Sequence, residues 1–126
     1  MNQELILKKC IKCGSLIEVL KTCNCNDCGI MCCNEPIQDV TINDKDASFE
    51  KHIPNYEIKD GNITIKVNHV MDSDHYIEMI MLKTKNETYI KTLKPNEVPE
   101  ITYPLKESAT IYSYCNKHGL WKVEVK

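Results

Sequence analysis

The sequence predicts an all-β protein in two parts, a small cysteine-rich metal-binding β module followed by an immunoglobulin-like antiparallel β-sandwich. Seven of the eight cysteines fall within the first 33 residues of the 126-residue chain, which marks off a separate unit. The remainder alternates short apolar runs with turn signals, and no stretch has a convincing helical period. We therefore place the module at residues 1–37 and the sandwich at residues 38–126, with residues 38–48 as a linker.

The module begins with a metal-binding knuckle, Cys10-Ile-Lys-Cys13-Gly14, in which two thiolates flank a tight turn. So few residues cannot bury enough apolar surface to fold alone, and four thiolates on one ion would supply the missing stability. Spacing alone allows two candidates for the second pair: Cys25 with Cys28, as a zinc ribbon would prefer, or the adjacent Cys32 with Cys33.

The cysteines are expected to be thiolates rather than disulfides. The N-terminus has no apolar segment long enough for a signal peptide, and no stretch could span a membrane, so we expect a reducing cytoplasm. The formal charge of −2 rests on 16 lysines and no arginine. A nucleic-acid-binding protein would carry a basic excess with arginine, so nucleic acid is not an expected partner.

The sandwich is predicted from seven short strands separated by turn residues. Asp60-Gly61 between two apolar runs is a strong hairpin signal, with Ile63, Ile65 and Val67 on one face. Lys94-Pro95-Asn96 marks a later turn. The predicted strands are 56–59, 62–67, 76–82, 87–93, 100–103, 108–115 and 120–125.

Five side chains at loop or strand-end positions form a candidate metal site. Cys115 and His118 lie three residues apart around a turn, and His52, His69 and His75 are the other histidines of the chain. Four imidazoles and a thiolate are one donor more than tetrahedral zinc uses and one fewer than an octahedral ion accepts. Such a set leaves a sixth position open for a reaction.

Several motifs in this order resemble superoxide reductases of the desulfoferrodoxin and neelaredoxin type. They are Glu50-Lys51-His52-Ile53-Pro54, His69 with His75-Tyr76, Leu93-Lys94-Pro95, and Cys115-Asn-x-His118-Gly-x-Trp121. The N-terminal Cys10-x-x-Cys13-Gly14 with Cys32-Cys33-Asn34 resembles the desulforedoxin module of the two-iron members. The chain departs from that pattern where Cys23, Cys25 and Cys28 occupy a segment that is usually shorter and free of cysteine.

The resemblance implies one-electron reduction of superoxide to hydrogen peroxide at a non-haem iron. Histidines 52, 69, 75 and 118 would surround this iron, with Cys115 axial and donating electron density. Lys51 would attract superoxide, and Glu50 would close the sixth position in the oxidised state. A second, tetrathiolate iron would be held by Cys10, Cys13, Cys32 and Cys33.

The resemblance also implies a rubredoxin-like electron donor and a homodimer. Two alternatives remain open from the sequence. One is a non-haem iron electron-transfer protein without superoxide chemistry, and the other is a zinc-stabilised binding module.

Overall fold

A computed structural model describes residues 4–25, 28–45 and 52–125 of the chain. These residues form thirteen β-strands and no helix, which confirms the predicted all-β class. The chain divides into two compact units, residues 4–41 and residues 42–126. Within the described residues, no helix has the length and apolar character needed to cross a membrane.

The first unit consists of very short strands joined by turns. The strands are β1 (Leu7–Lys9), β2 (Leu16–Glu18), β3 (Met31–Cys32), β4 (Glu35–Pro36) and β5 (Gln38–Asp39). They form a three-stranded sheet in the order β2-β1-β5 and a two-stranded β3-β4 ladder. Strands of two or three residues provide few ladder hydrogen bonds, so the unit depends on other interactions for its stability.

The described part of the second unit contains eight strands, which form two sheets. The strands are β6 (Ile42–Asn43), β7 (Asn55–Lys59), β8 (Asn62–Lys66), β9 (Ile77–Lys83), β10 (Thr88–Thr92), β11 (Glu100–Pro104), β12 (Ala109–Cys115) and β13 (Gly119–Val125). One sheet has five strands in the order β10-β9-β12-β13-β6, and the other has three in the order β11-β8-β7. Each predicted strand corresponds to one of these, with ends that differ by no more than one residue. The predicted linker region contains β5 and β6.

Apolar side chains from both sheets form one core, which includes Ile63 and Ile65 of β8, Ile80 and Leu82 of β9, and Ile111 of β12. The β7–β8 hairpin that presents Ile63 and Ile65 turns at Asp60 and Gly61, whose φ angles are 54° and 78°. Two successive positive φ values define the type I′ turn that the Asp-Gly pair predicts. Strand β12 is buried along its whole length, as expected for the central strand of the larger sheet.

One pairing in the larger sheet differs from the purely antiparallel sandwich that the sequence predicts. Strand β6 runs parallel to β13, with Ile42 opposite Leu120 and Asn43 opposite Trp121. The Asn43 side chain also donates a hydrogen bond of 3.0 Å to the Leu120 carbonyl. Two polar-flanked residues have no detectable period, so sequence patterning could not identify this strand.

Candidate metal centre

Five donor side chains converge at one edge of the sandwich. Their donor atoms all lie within 4.8 Å of one another, and they belong to His52, His69, His75, Cys115 and His118. The antiparallel ladders explain the convergence, since the start of β7 pairs with the end of β8 through Asn55 and Lys66. Cys115, at the end of β12, pairs with Ile77 of β9 and Gly119 of β13. Loops that are distant in sequence therefore meet at one edge.

The four imidazole rings follow one another in a closed order. Ring centroids are 4.9 Å apart for His52 and His69, 4.7 Å for His69 and His75, 4.9 Å for His75 and His118, and 5.0 Å for His118 and His52. His118 Nδ1 lies 3.2 Å from Nε2 of both His52 and His75. Two nitrogens bound at right angles, each about 2.1 Å from one ion, are about 3 Å apart. The ring nitrogens therefore fit a single metal ion.

The sulfur of Cys115 lies on the buried side of this group. Cys115 Sγ is 3.7 Å from His69 Nε2 and 3.8 Å from His118 Nδ1. Cys115 is 0% exposed, whereas His118 is an exposed residue. A mixed thiolate and imidazole set suits iron, copper or zinc.

Hydrogen bonds to main-chain carbonyls restrain the ring of one histidine and the backbone of another. His69 Nδ1 lies 2.6 Å from the Val70 carbonyl oxygen, which can only accept, so this nitrogen carries the proton. The lone pair of His69 Nε2 is then directed at the centre, as a metal ligand requires. The Ser113 hydroxyl donates to the His52 carbonyl and holds the backbone at His52 against β12.

Asn116 joins the two loops that carry His75 and His118. Its Nδ2 donates to the Asp74 carbonyl at 3.0 Å, and the Tyr76 N–H donates to its Oδ1 at 3.0 Å. The Asn116 N–H donates to the Tyr76 carbonyl at 3.2 Å. These three bonds hold the His75 loop against the turn that follows Cys115.

Trp121 contacts two of the histidine ligands, although its residue type alone does not predict a place in a metal site. Its ring stacks on His52, with centroids 4.6 Å apart and an interplanar angle of 10°. Its Nε1–H donates to the His118 carbonyl at 3.1 Å. One side chain therefore covers one ligand ring and restrains the backbone of a second. The only sequence signal was its place in the motif that follows His118.

Replacing Asn116 by alanine is expected to lower metal affinity at this centre by about 10–100-fold, the range for loss of an outer-shell partner. The physical reason is the loss of both side-chain bonds between the His75 loop and the Cys115 turn. Competition with a chromogenic chelator measures the affinity. Asn86→Ala, in an exposed turn, is the matched control, and equal affinities in the two variants would show that Asn116 does not position the ligands.

A second donor group lies in the first unit. The sulfurs of Cys10, Cys13, Cys32 and Cys33 all lie within 4.8 Å of one another. Cys13 Sγ and Cys32 Sγ are 3.6 Å apart, close to the roughly 3.8 Å between thiolates about 2.3 Å from one tetrahedral ion. Gly14, with φ of 80°, turns the chain after the first pair. The chain turns again at the end of the second pair, where Cys33 and Asn34 have φ of 52° and 63°.

The thiol pKa values in this group are displaced in opposite directions. Hydrogen bonds from the side chain and then the backbone of Ser15 lower the pKa of Cys13 to about 6. Hydrogen bonding with Cys10 and then with Cys13 raises the pKa of Cys32 to about 12. Closely packed thiols cannot all ionise together unless a cation compensates their charge. Four sulfurs in this arrangement therefore suit a metal ion.

Cys23, Cys25 and Cys28 form a third group, separate from the other two. Cys23 and Cys28 are joined by a disulfide, which differs from the thiolates that the sequence analysis expected. Thiolates were expected because a reducing compartment was expected, and the spacing of cysteines carries no information about the compartment. Two further site residues predicted from the sequence, Glu50 and Lys51, lie outside the described residues.

Comparison with known proteins gives concordant results. The desulfoferrodoxin family model matches residues 44–124. Desulfoferrodoxin from Desulfarculus baarsii is 38% identical over 129 residues, covering 98% of this chain and 99% of the relative. Desulfoferrodoxin from Nitratidesulfovibrio vulgaris is 36% identical with the same coverage. The crystal structure of superoxide reductase from Treponema pallidum aligns with a TM-score of 0.76 and 26% identity, covering 95% of this chain and 98% of that one.

The fold and the site define a β-sandwich protein of the superoxide reductase fold, with a His/Cys group and a Cys cluster able to bind metal. The chain belongs to the desulfoferrodoxin family.

Proposed function

We propose that this protein is a superoxide reductase that converts superoxide, one electron and two protons into hydrogen peroxide. The metal would be iron, held by the five donors of His52, His69, His75, Cys115 and His118. The observation that carries the proposal is the convergence of these donors within 4.8 Å at one edge of the sandwich. Bound ferrous iron would supply the electron to superoxide and recover it from an external donor.

The surrounding residues support a reaction on the solvent side of the site. Cys115 is buried, and its thiolate would hold the iron and supply electron density to it. The Val70 carbonyl keeps His69 in the tautomer with Nε2 available, and Trp121 excludes water from one face of His52. These contacts preorganise the donors, and His118 is the exposed member of the group, which suits a small anionic substrate.

Glu50 and Lys51 have roles in this proposal by resemblance to the family. Lys51, next to His52 in sequence, would attract the anion and deliver a proton from Nζ through water. Glu50 would occupy the sixth position after oxidation. The proposal also includes a tetrathiolate iron at Cys10, Cys13, Cys32 and Cys33, a rubredoxin-like electron donor, a homodimer and a cytoplasmic location.

Metal analysis with an ultraviolet-visible spectrum, before and after oxidation and ascorbate reduction, is the first test. We expect two irons per chain, a tetrathiolate spectrum, and a broad thiolate-to-iron band that appears on oxidation. Pulse radiolysis should then show a second-order reaction with superoxide. An iron protein with both bands that is inert towards superoxide would contradict the reductase proposal and favour an electron carrier. Colourless protein that binds zinc alone, even after iron reconstitution, would contradict the iron assignment.

Replacing Lys51 by isoleucine is expected to slow the reaction with superoxide about tenfold or more, while the ferric absorption band stays in place. The reason is the loss of electrostatic steering, so the rate should also depend less on ionic strength. Pulse radiolysis at several salt concentrations measures both effects.

Lys106→Ile is the matched control for this change in net charge. Lys106 follows β11, whose last residue, Pro104, pairs with Asn62 at the edge of the sandwich opposite the five donors. The Leu105 N–H also donates to the Gly61 carbonyl in the β7–β8 turn. Equal slowing in the two variants would mean that net charge, rather than Lys51, governs the rate.

A further inference from the structure

Three cysteines of the first unit lie outside both donor groups described above. Cys23, Cys25 and Cys28 are all exposed, and their sulfur atoms lie within 4.8 Å of one another. Cys23 and Cys28 form a disulfide, and Cys25 Sγ is 3.2 Å from Cys23 Sγ. A thiol at this distance from a disulfide sulfur is placed for exchange, which proceeds by attack of a thiolate on one of the bonded sulfurs.

The surface beside the disulfide can receive another molecule. A cavity of about 520 Å³ is lined by both bonded cysteines and by Lys21, Val19 and Ile30. Cys28 also borders a second cavity of about 380 Å³. Val19 and Ile30 offer apolar contact area, and the same lining carries Lys21 and the Lys8–Asp39 ion pair. Both bonded cysteines are exposed residues and line one concave surface.

We propose that Cys23, Cys25 and Cys28 form a thiol–disulfide exchange site whose substrate is an external dithiol. One partner thiolate attacks Cys23 or Cys28, the protein disulfide breaks, and a mixed disulfide and a protein thiolate form. The second partner thiol then attacks the mixed disulfide and leaves as oxidised partner. The protein gains two electrons and two protons, and the partner loses the same number. The reverse sequence reoxidises the protein with a disulfide substrate.

Cys25 acts as a resolving thiol in this scheme. When a partner remains bonded to Cys23, Cys25 attacks Cys23 Sγ, a Cys23–Cys25 disulfide forms, and the partner departs as a thiolate. The same attack on the Cys23–Cys28 disulfide moves the bond without net oxidation or reduction. The site uses none of the proposed iron ligands, so it stands apart from the superoxide reaction.

The test is a redox titration of the full-length, iron-loaded protein in defined mixtures of reduced and oxidised dithiothreitol, followed by acid quenching, alkylation and peptide mass spectrometry. We expect Cys23 and Cys28 to gain label together, in proportion to the ratio of reduced to oxidised dithiothreitol. Cleavage before Asp27 separates Cys28 from Cys23 and Cys25 in sequence. A Cys23–Cys28 disulfide therefore holds two peptides together, whereas a Cys23–Cys25 disulfide does not.

Two variants test the role of Cys25. In oxidised Cys28→Ser, Cys23 and Cys25 should both be protected from alkylation, because Cys25 can form a disulfide with Cys23. The double variant Cys25→Ser/Cys28→Ser should retain glutathione on Cys23. In about 0.1 mM glutathione this adduct should last at least about tenfold longer than in Cys28→Ser, since a neighbouring thiol has an effective concentration in the millimolar range.

Three results would overturn the proposal. One is full labelling of all three cysteines at every dithiothreitol ratio, which would mean that no disulfide forms. A second is protection of all three that only a chelator removes, which would identify a soft-metal site instead. The third is an equal lifetime of the glutathione adduct in the two variants. Iron content and the visible spectrum, recorded in parallel, keep any of these results separate from a failure at the iron centres.

Discussion

Replacing Cys115 by serine is expected to remove the thiolate-to-iron band and to slow the reaction with superoxide by more than about 100-fold. Loss of an outer-shell partner costs up to about 100-fold, and loss of a directly bonded thiolate should cost more. The serine hydroxyl stays protonated at neutral pH and donates far less electron density than a thiolate. Pulse radiolysis and the ferric spectrum of the iron-loaded variant measure the two effects.

Fold integrity can be checked independently of the reaction. Cys115 belongs to the buried core at the end of β12, and serine is nearly isosteric, so the sandwich should stay folded with a lower midpoint of thermal unfolding. Cys25→Ser removes an exposed cysteine from the other unit and should leave band and rate unchanged. A Cys115→Ser protein that keeps the band would show that this sulfur is not an iron ligand.

The second large effect is expected from Cys13→Ser, which should release the metal of the first unit and open that unit alone. The buried apolar residues among its described residues are Leu5, Leu7 and Cys10, and its strands have two or three residues each. So small a core cannot offset the conformational entropy of residues 4–41. Binding of a structural metal, by contrast, contributes on the order of 10 kcal/mol.

Hydrogen exchange read by mass spectrometry, with metal analysis, measures this effect. Amides of β1 and β2 should exchange at close to unfolded rates in Cys13→Ser, whereas β9 and β12 should keep their protection. Cys13 is exposed, so its replacement leaves no cavity that could explain the opening. Cys25→Ser, in the same unit, should keep both metal and protection. If Cys13→Ser keeps its metal and its slow exchange, the tetrathiolate does not support the unit.

Local sequence signals predicted most of the second unit because its strands obey local rules. Asp60-Gly61 specifies a type I′ turn through its tolerance of positive φ, and that turn sets which residues of β8 face the core. The run from Ala109 to Cys115 is rich in β-branched and aromatic residues and is long enough to be a strand by itself. Strand β6 escaped prediction because its two residues are held by β13 and by the Asn43 side chain, both distant in sequence.

The contacts around the metal centre could not be predicted from the sequence, although its donors could. The five donors could be named from residue type and motif order, since imidazole and thiolate are usual protein ligands for iron, copper and zinc. Trp121 alternates with the buried Leu120 along β13, which predicts opposite faces for the two. Nothing local predicts that Trp121 stacks on His52, because His52 lies just before β7 and is distant from Trp121 in sequence. The bonds of Asn116 to Asp74 and Tyr76 are non-local for the same reason.

The sequence by itself determined the all-β class, the strand positions, the hairpin turn and the donor types. Each of these depends on hydrophobic periodicity or residue type within a short segment of the chain. Only the tertiary structure decided which sulfurs meet. Spacing allowed Cys10 and Cys13 to pair with Cys25 and Cys28 or with Cys32 and Cys33, and folding groups them with Cys32 and Cys33. It also joins Cys23 to Cys28 beside Cys25. The physical reason is that a thiol's partner is set by the path of the backbone through space, which the interval between cysteines does not specify.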